Sequence, residues 1–520
     1  MSRVRPKPTD AISRLGFAAI LGLIIVGAAI VRLPGLSWEQ GLGERGKGLT
    51  FHIDEWTFVE EIRHFDHRSP TGKGYVRGWT THGYVLEQLG YRLLKLKDVD
   101  IIALLRRLSL AYSLLTIMLL AVTGAALFGS RELGLWAAAL LALSGLHVIN
   151  SHFGTADAAA TAYGVLGILL AGVFGRTKSD WALLGLGVTV GAALAIKFQL
   201  SLLPLAAWVC WRSEQHWLRL TQVMLVSVAA FQLFSLFNYT PWEMQDFAQM
   251  LRNSVHLETE PRLDLLYVFR KLIPGLGFGA SLLLLAGGAA LAGRARRVQF
   301  KTLARRLLAS PWLYVMIPAA CQYAMVAEMD LRSGRQVLVL VPAACLVAAR
   351  GILWLRHRFS TPPAARFATA ALVLILGYQT WYVWALGSWY TNDPRFAASQ
   401  WLSAHVQPGE RVTAHLWYSR VPGAYPLVEE PAEYILTSSL EYNRYLETDR
   451  PEAVYHSEGP SHWAFWKAIF GGRLDYERVQ TFPAPAMPLE AWMQSSVGWP
   501  RDLGTFVPRE VVIFKKKRGA

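Results

Sequence analysis

What most constrains this chain is a series of eleven windows that contain no Asp, Glu, Lys or Arg. They run 15–31, 108–130, 133–156, 158–175, 181–196, 198–211, 220–242, 272–293, 307–327, 336–349 and 367–392. About 20 apolar residues cross a bilayer as a helix, and a helix satisfies its own backbone groups where water cannot. The pattern predicts an all-α polytopic membrane protein of about eleven transmembrane helices. Composition agrees: 53% of the 520 residues are apolar and only 17% charged, whereas a soluble chain carries nearer a quarter. Many of the 20 tryptophans, among them Trp136, Trp181, Trp242, Trp312 and Trp389, sit near window ends. That placement suits aromatic rings at a membrane–water interface.

The net charge of +15 does not point to nucleic acid, because the basic residues lie in short hinges between apolar runs rather than on one soluble face. Those hinges orient the chain instead, since cytoplasmic loops are rich in Lys and Arg. Residues 294–306 and 350–366 carry Arg and Lys with no acid, and Arg3, Arg5, Lys7 and Arg14 precede the first window. All three segments are expected in the cytoplasm. The first window also fits a signal-peptide core, but a polytopic chain needs no cleavage, and an uncleaved helix is expected. The stretch 181–211 is flanked on both sides by basic residues, Arg176 and Lys178 before it, Arg212 and Arg219 after. It must therefore cross twice, with Lys197 at the outer turn. Eleven crossings put the C-terminus outside. Cys210, Cys321 and Cys345 lie inside apolar runs and carry no metal or disulfide spacing.

Two parts emerge: a transmembrane module, residues 1–392, and an extracytoplasmic soluble domain, residues 393–520. The module carries a first extracytoplasmic loop at 33–106 and another at 239–270. Within the first, 55–66 has the helical spacing of an interfacial amphipathic helix. The domain reads as a small α/β fold: a helix, a Pro-Gly turn and a strand over 393–415, and further strands at 433–437 and 510–514. The terminal Lys515 to Arg518 reads as a disordered basic tail.

On this frame several ionisable residues gather at the outer face: His52, Asp54 and Glu55 after the first helix, Asp157 opening the fourth, Lys197 between the fifth and sixth, and Arg332 and Arg335 before the tenth. Ionisable residues at membrane helix ends are functional candidates by default. Plainer roles stand beside each. Asp54 and Asp157 suit helix caps, and Glu55 suits a first-turn acid. Lys197 suits a snorkelling lysine, Arg332 and Arg335 suit headgroup anchors, and His52, His82 and His152 suit structural hydrogen bonds. His256 and Glu258 are weaker acceptor-binding candidates.

Six strings in order resemble the GT-C glycosyltransferases, in the polyprenyl-phosphate-sugar branch that holds protein O-mannosyltransferases and lipid A aminoarabinose transferases. They are HIDEW at 52–56, THGYV at 81–85, NSHFGTADAAATAY at 150–163, AIKFQLSLLP at 195–204, RSGRQVLVLVP at 332–342 and DPRFAASQW at 393–401. Ile53 stands where that family usually has Pro. The resemblance spans about residues 10–410. It implies transfer of a sugar, with inversion, from a polyprenyl-phosphate donor to a hydroxyl of a lipid, glycan or protein acceptor; the Ala-, Leu-, Gly- and Arg-rich usage leans towards a bacterial plasma membrane. Asp54 would be the general base, with Glu55 and Asp157 orienting groups. Lys197, Arg332 and Arg335 would hold the leaving phosphate, and His52, His82 and His152 would line the substrate. Protein cations make a metal unnecessary, although a divalent cation beside Asp54 and Glu55 is compatible with the scheme. The competing reading is a transporter or flippase of lipid-linked sugars. Against it stand the lack of an inverted repeat and the gathering of acids at one face rather than the midplane.

Overall fold

The computed structural model describes residues 12–36, 55, 98–197, 200–234, 265–295, 310–328, 334–414, 432–446, 459–485 and 509–517. It forms two compact units, one of residues 1–33, 58–384 and 499–504, the other of 34–57, 385–498 and 505–520.

The first unit is helical: α1 (Arg14–Arg32), α2 (Asp98–Phe128), α3 (Arg131–Ala142), α4 (Gly145–Asn150), α5 (Ala156–Thr177), α6 (Asp180–Lys197), α7 (Leu202–Trp211), α8 (His216–Phe234), α9 (Leu265–Leu276), α10 (Phe278–Ala295) and α11 (Leu313–Glu328). A 3₁₀ segment (Gly334–Leu340) leads into α12 (Val341–Arg358), and α13 (Pro362–Thr391) follows. Over its described residues each charge-free window falls mainly on helix. Among the described residues seven helices are long and apolar enough to cross a membrane, and the bent pair α9–α10 would make eight. Helices α7 and α11 are apolar but shorter. The expected division of 181–211 is present as α6 and α7.

Two windows expected as single helices are broken. The run 133–156 divides at Leu143–Ser144, where Ser144 adopts an extended conformation ahead of α4. The run 272–293 bends by 117° at Gly277, whose φ of +89° is cheap only for glycine. Neither break carries a charge, so a charge-free window passes over both. Freed carbonyls at membrane depth need partners, and α13 supplies them. Gln379 Nε2 donates to the Leu143 carbonyl at 3.1 Å and the Leu276 carbonyl at 2.7 Å, and the Tyr382 hydroxyl donates to Pro274 at 2.7 Å. Ser144 adds a bond to the Gly275 carbonyl at 3.0 Å.

Glycines bring several helix pairs into backbone contact, the close approach common between membrane helices. A Cβ on Gly191 of α6 would overlap the Ser227 carbonyl of α8, and one on Gly124 of α2 would overlap the backbone of Gly134 in α3.

In the second unit, Asp393 caps α14 (Pro394–His405), accepting from the Arg395 amide at 2.9 Å. Then come β1 (Val412–Ala414), β2 (Tyr434–Ser438), α15 (Ser439–Leu446), α16 (Gly459–Phe470), β3 (Tyr476–Pro483) and β4 (Glu510–Lys516). The sheet order is β1-β2-β4-β3, with β1 parallel to β2 and the other pairs antiparallel. Side chains alternate along a strand, so Leu436, Val511 and Ile513 pack with Ala398 and Leu402 of α14. Ile435, Val512 and Phe514 face Tyr442, Trp466 and Ile469 of α15 and α16. The helix–turn–strand order and both later strands lie where the sequence places them. The basic tail does not: Lys515 and Lys516 close β4, with the Lys515 ammonium 5.1 Å from the Tyr434 ring.

Candidate functional site

Helices α5 and α6 are antiparallel neighbours joined by a tight turn at Lys178, whose left-handed φ of 58° ends α5. That geometry puts the start of α5 beside the end of α6. An acid is favoured in a first helical turn and a base in a last one, and the chain has Asp157 and Lys197 at those two places. Across 40 residues of sequence, Lys197 donates to Asp157 Oδ1 in an ion pair. The Asp157 side chain is 4% exposed and that of Lys197 24%. The carboxylate is therefore buried behind a lysine that reaches the surface. An ammonium has three N–H donors, so one is committed to Asp157 and others can meet a ligand.

The neighbouring groups hold this pair in place. The helix cap is Thr155, not Asp157; its hydroxyl donates to Asp157 Oδ2 at 3.0 Å. Ser109 of α2 in turn donates to the Thr155 carbonyl at 3.4 Å. Arg335 is the second residue of the 3₁₀ segment, which packs against α5, and its charge bears on Asp157. Just along the same seam, the rings of Tyr112 and Tyr163 stand 6.3 Å apart beside Ala156 and Ile196.

Three of the expected residues, Asp157, Lys197 and Arg335, thus converge from three separate segments. His152 is buried, its Nδ1 2.8 Å from the Val148 carbonyl, which suits the structural reading of that residue. Glu55 is fully buried in the second unit. Asp54, His52, His82, Arg332, His256, Glu258 and the expected helix at 55–66, Glu55 apart, lie outside the described residues. Among the described residues no group of three or more His, Cys, Asp or Glu side chains gathers to hold a metal.

Sequence reading passed over three polar residues of the first unit. Thr155 was visible as a Thr two places before an acid at a helix start. Lys271 is buried on α9, which packs against the 3₁₀ segment; it sits in an amphipathic stretch that looks like a loop end. Arg32 reads as the flank of the first apolar run, yet it is fully buried.

Residues 57–250 match the family described as dolichyl-phosphate-mannose-protein mannosyltransferase. No curated protein sequence matches the chain. Among solved structures, the chain is similar to ArnT from Cupriavidus metallidurans bound to undecaprenyl phosphate, at 14% identity and a TM-score of 0.50, over 84% of this chain and 95% of that one. It is also similar to the apo oligosaccharyltransferase of Archaeoglobus fulgidus, at 12% identity and a TM-score of 0.52, over 98% of this chain and 89% of that one.

Proposed function

The chain is a multi-pass membrane protein with the GT-C fold, and from that premise we propose that it is a glycosyltransferase that uses a polyprenyl-phosphate sugar. The observation that carries the reading is the Lys197 ion pair with the buried Asp157, on the helix against which the 3₁₀ segment of Arg335 packs. Two cations fixed at one end of a helix bundle form a seat for a lipid-borne phosphate. The Cupriavidus protein, of similar fold, is bound to a phosphate of this kind.

In this reaction the acceptor oxygen bonds to the anomeric carbon as the bond from that carbon to the lipid phosphate breaks, giving inversion. Asp54 takes the acceptor proton, and general-base help of this kind is worth about 10²–10⁴-fold. Lys197, Arg335 and Arg332 take up the charge that grows on the departing phosphate, which preorganised cations do without reorganising at the moment of reaction. Asp157 keeps the Lys197 ammonium aimed, and Glu55 orients the acceptor or the base. The protein's own cations fill the place a metal takes in other transferases, and a divalent cation beside Asp54 and Glu55 remains compatible with the scheme. The site faces the extracytoplasmic side of a plasma membrane, and the acceptor is a lipid, glycan or protein hydroxyl.

Mass spectrometry of lipids that co-purify with the full chain tests this reading. A polyprenyl-phosphate sugar, lost on replacing Lys197 and Arg335 together, is the expected result. Retention of the same lipid by that double variant would remove the phosphate seat from the scheme.

A further inference from the structure

The segment from Ser144 to Asp157 stands apart among the described residues of the first unit. Every residue in it except Ala156 is buried, and half of them are polar or charged: Ser144, His147, Asn150, Ser151, His152, Thr155 and Asp157. Such a stretch in a membrane protein survives only if protein groups hold it on every side. Several of its polar side chains bond within the stretch itself: Asn150 to Leu146, Ser151 and His152 to Val148, Thr155 to Asp157. Two are gripped by cations from elsewhere. Lys197 holds Asp157 at one end, and Arg32 of α1 holds His147 near the other, its Nη2 2.9 Å from His147 Nδ1.

Arg32 is built for that grip. Its Nε donates to Ser113 Oγ at 3.2 Å, and its Nη1 to the Ala28 and Ala142 carbonyls at 3.0 Å each. Ala142 is the last residue of α3, so its carbonyl belongs to the negative end of that helix, where a cation is favoured. A guanidinium always carries its proton, so His147 Nδ1 must accept and its Nε2 must carry the hydrogen. Helix α1 itself buries only Leu21, Ala28 and Arg32 fully. One side chain therefore ties α1, α2, the end of α3 and α4 together, immediately upstream of the turn that presents Asp157.

We propose that Arg32 and His147 are positioning residues for Asp157. The Arg32–His147 contact and the Lys197–Asp157 pair clamp the 144–157 segment from its two ends, and the first sets where the second forms. The effect on transfer rests on the glycosyltransferase reading; the clamp does not.

The test uses the full chain in detergent or nanodiscs, with His147→Leu, His147→Asn and Arg32→Lys. Leu cannot accept from Arg32, whereas the Asn oxygen stands where Nδ1 stood. Two readouts are taken besides melting temperature: the rate at which an amine-reactive reagent labels Lys197, with Asp157→Asn as the control for an unpaired lysine, and turnover at saturating donor. In His147→Leu, Lys197 should label several-fold faster and turnover should fall about 10- to 100-fold, since small misplacements cost that much. His147→Asn should return both to near the parent. Arg32→Lys keeps the charge but loses the fork that reaches three elements, so it should label like His147→Leu. If His147→Leu does not purify, labelling of Arg32→Lys against His147→Asn decides the matter. Parent-like labelling of His147→Leu or Arg32→Lys, with only the melting temperature lowered, overturns the proposal. A parent with no transfer activity sinks the function above and leaves the labelling comparison to judge the clamp.

Discussion

Replacing Lys197 by Met makes two consequences that can be pulled apart. The first is stability. Methionine fills the volume but leaves the Asp157 carboxylate, 4% exposed, without its ammonium. Breaking a buried ion pair by removing one partner costs about 3–5 kcal/mol, and an exposed pair is worth about 0.2–1 kcal/mol. Lys197 is a quarter exposed, and the Thr155 hydroxyl and the Arg335 charge stay in place. The cost should therefore fall between, at about 1–3 kcal/mol. The second consequence is loss of a charge-assisted contact to the donor phosphate, roughly 10- to 150-fold in turnover or donor affinity. Adding Asp157→Asn removes the stranded carboxylate, and asparagine still accepts from Thr155. Stability should then recover most of the lost 1–3 kcal/mol, while transfer stays as low as in Lys197→Met. Thermal melting of the purified variants and transfer from a purified polyprenyl-phosphate sugar measure the two halves. Recovery of transfer along with stability in the double variant would refute the reasoning: Lys197 would then serve only to neutralise Asp157.

The other expectations are shorter. Asp54→Asn should purify normally and keep its lipid, yet lose at least about 10²-fold in turnover, with Glu55→Gln milder; near-full activity removes Asp54 as the base. Gly191→Val should reduce folded yield in the membrane, because a side chain there meets the Ser227 carbonyl and the Ala230 methyl and overpacking costs about 1–3 kcal/mol; an unchanged yield and melting temperature would show that α6 and α8 can separate. Cysteine labelling in intact cells should reach residues 60 and 450 from outside and residues 300 and 358 only after permeabilisation, and a protected residue 450 would overturn the outward C-terminal domain.

The membrane character, the places of the apolar helices, and strands β1, β2 and β4 were legible in the amino-acid order because they depend on local quantities, whereas β3, a charged and half-exposed run, was passed over. A charge-free run, a basic hinge or a period-2 alternation carries its meaning wherever the chain goes next. The division of 181–211 belongs here too, since charge on both flanks demands an even number of crossings. The breaks at Ser144 and Gly277 were not legible, because what makes them tolerable is Gln379 and Tyr382, supplied from more than a hundred residues away. The site divides in the same way. Asp157, Lys197 and Arg335 were visible singly as ionisable residues at helix ends, but an ion pair across 40 residues needs the antiparallel return of α6 along α5. Arg32 marks the limit most clearly: in the sequence it is one basic residue closing an apolar run. Only the packing of α1 against α2, α3 and α4 turns that flank into a buried cation with four partners, because burial is a property of neighbours and not of the residue.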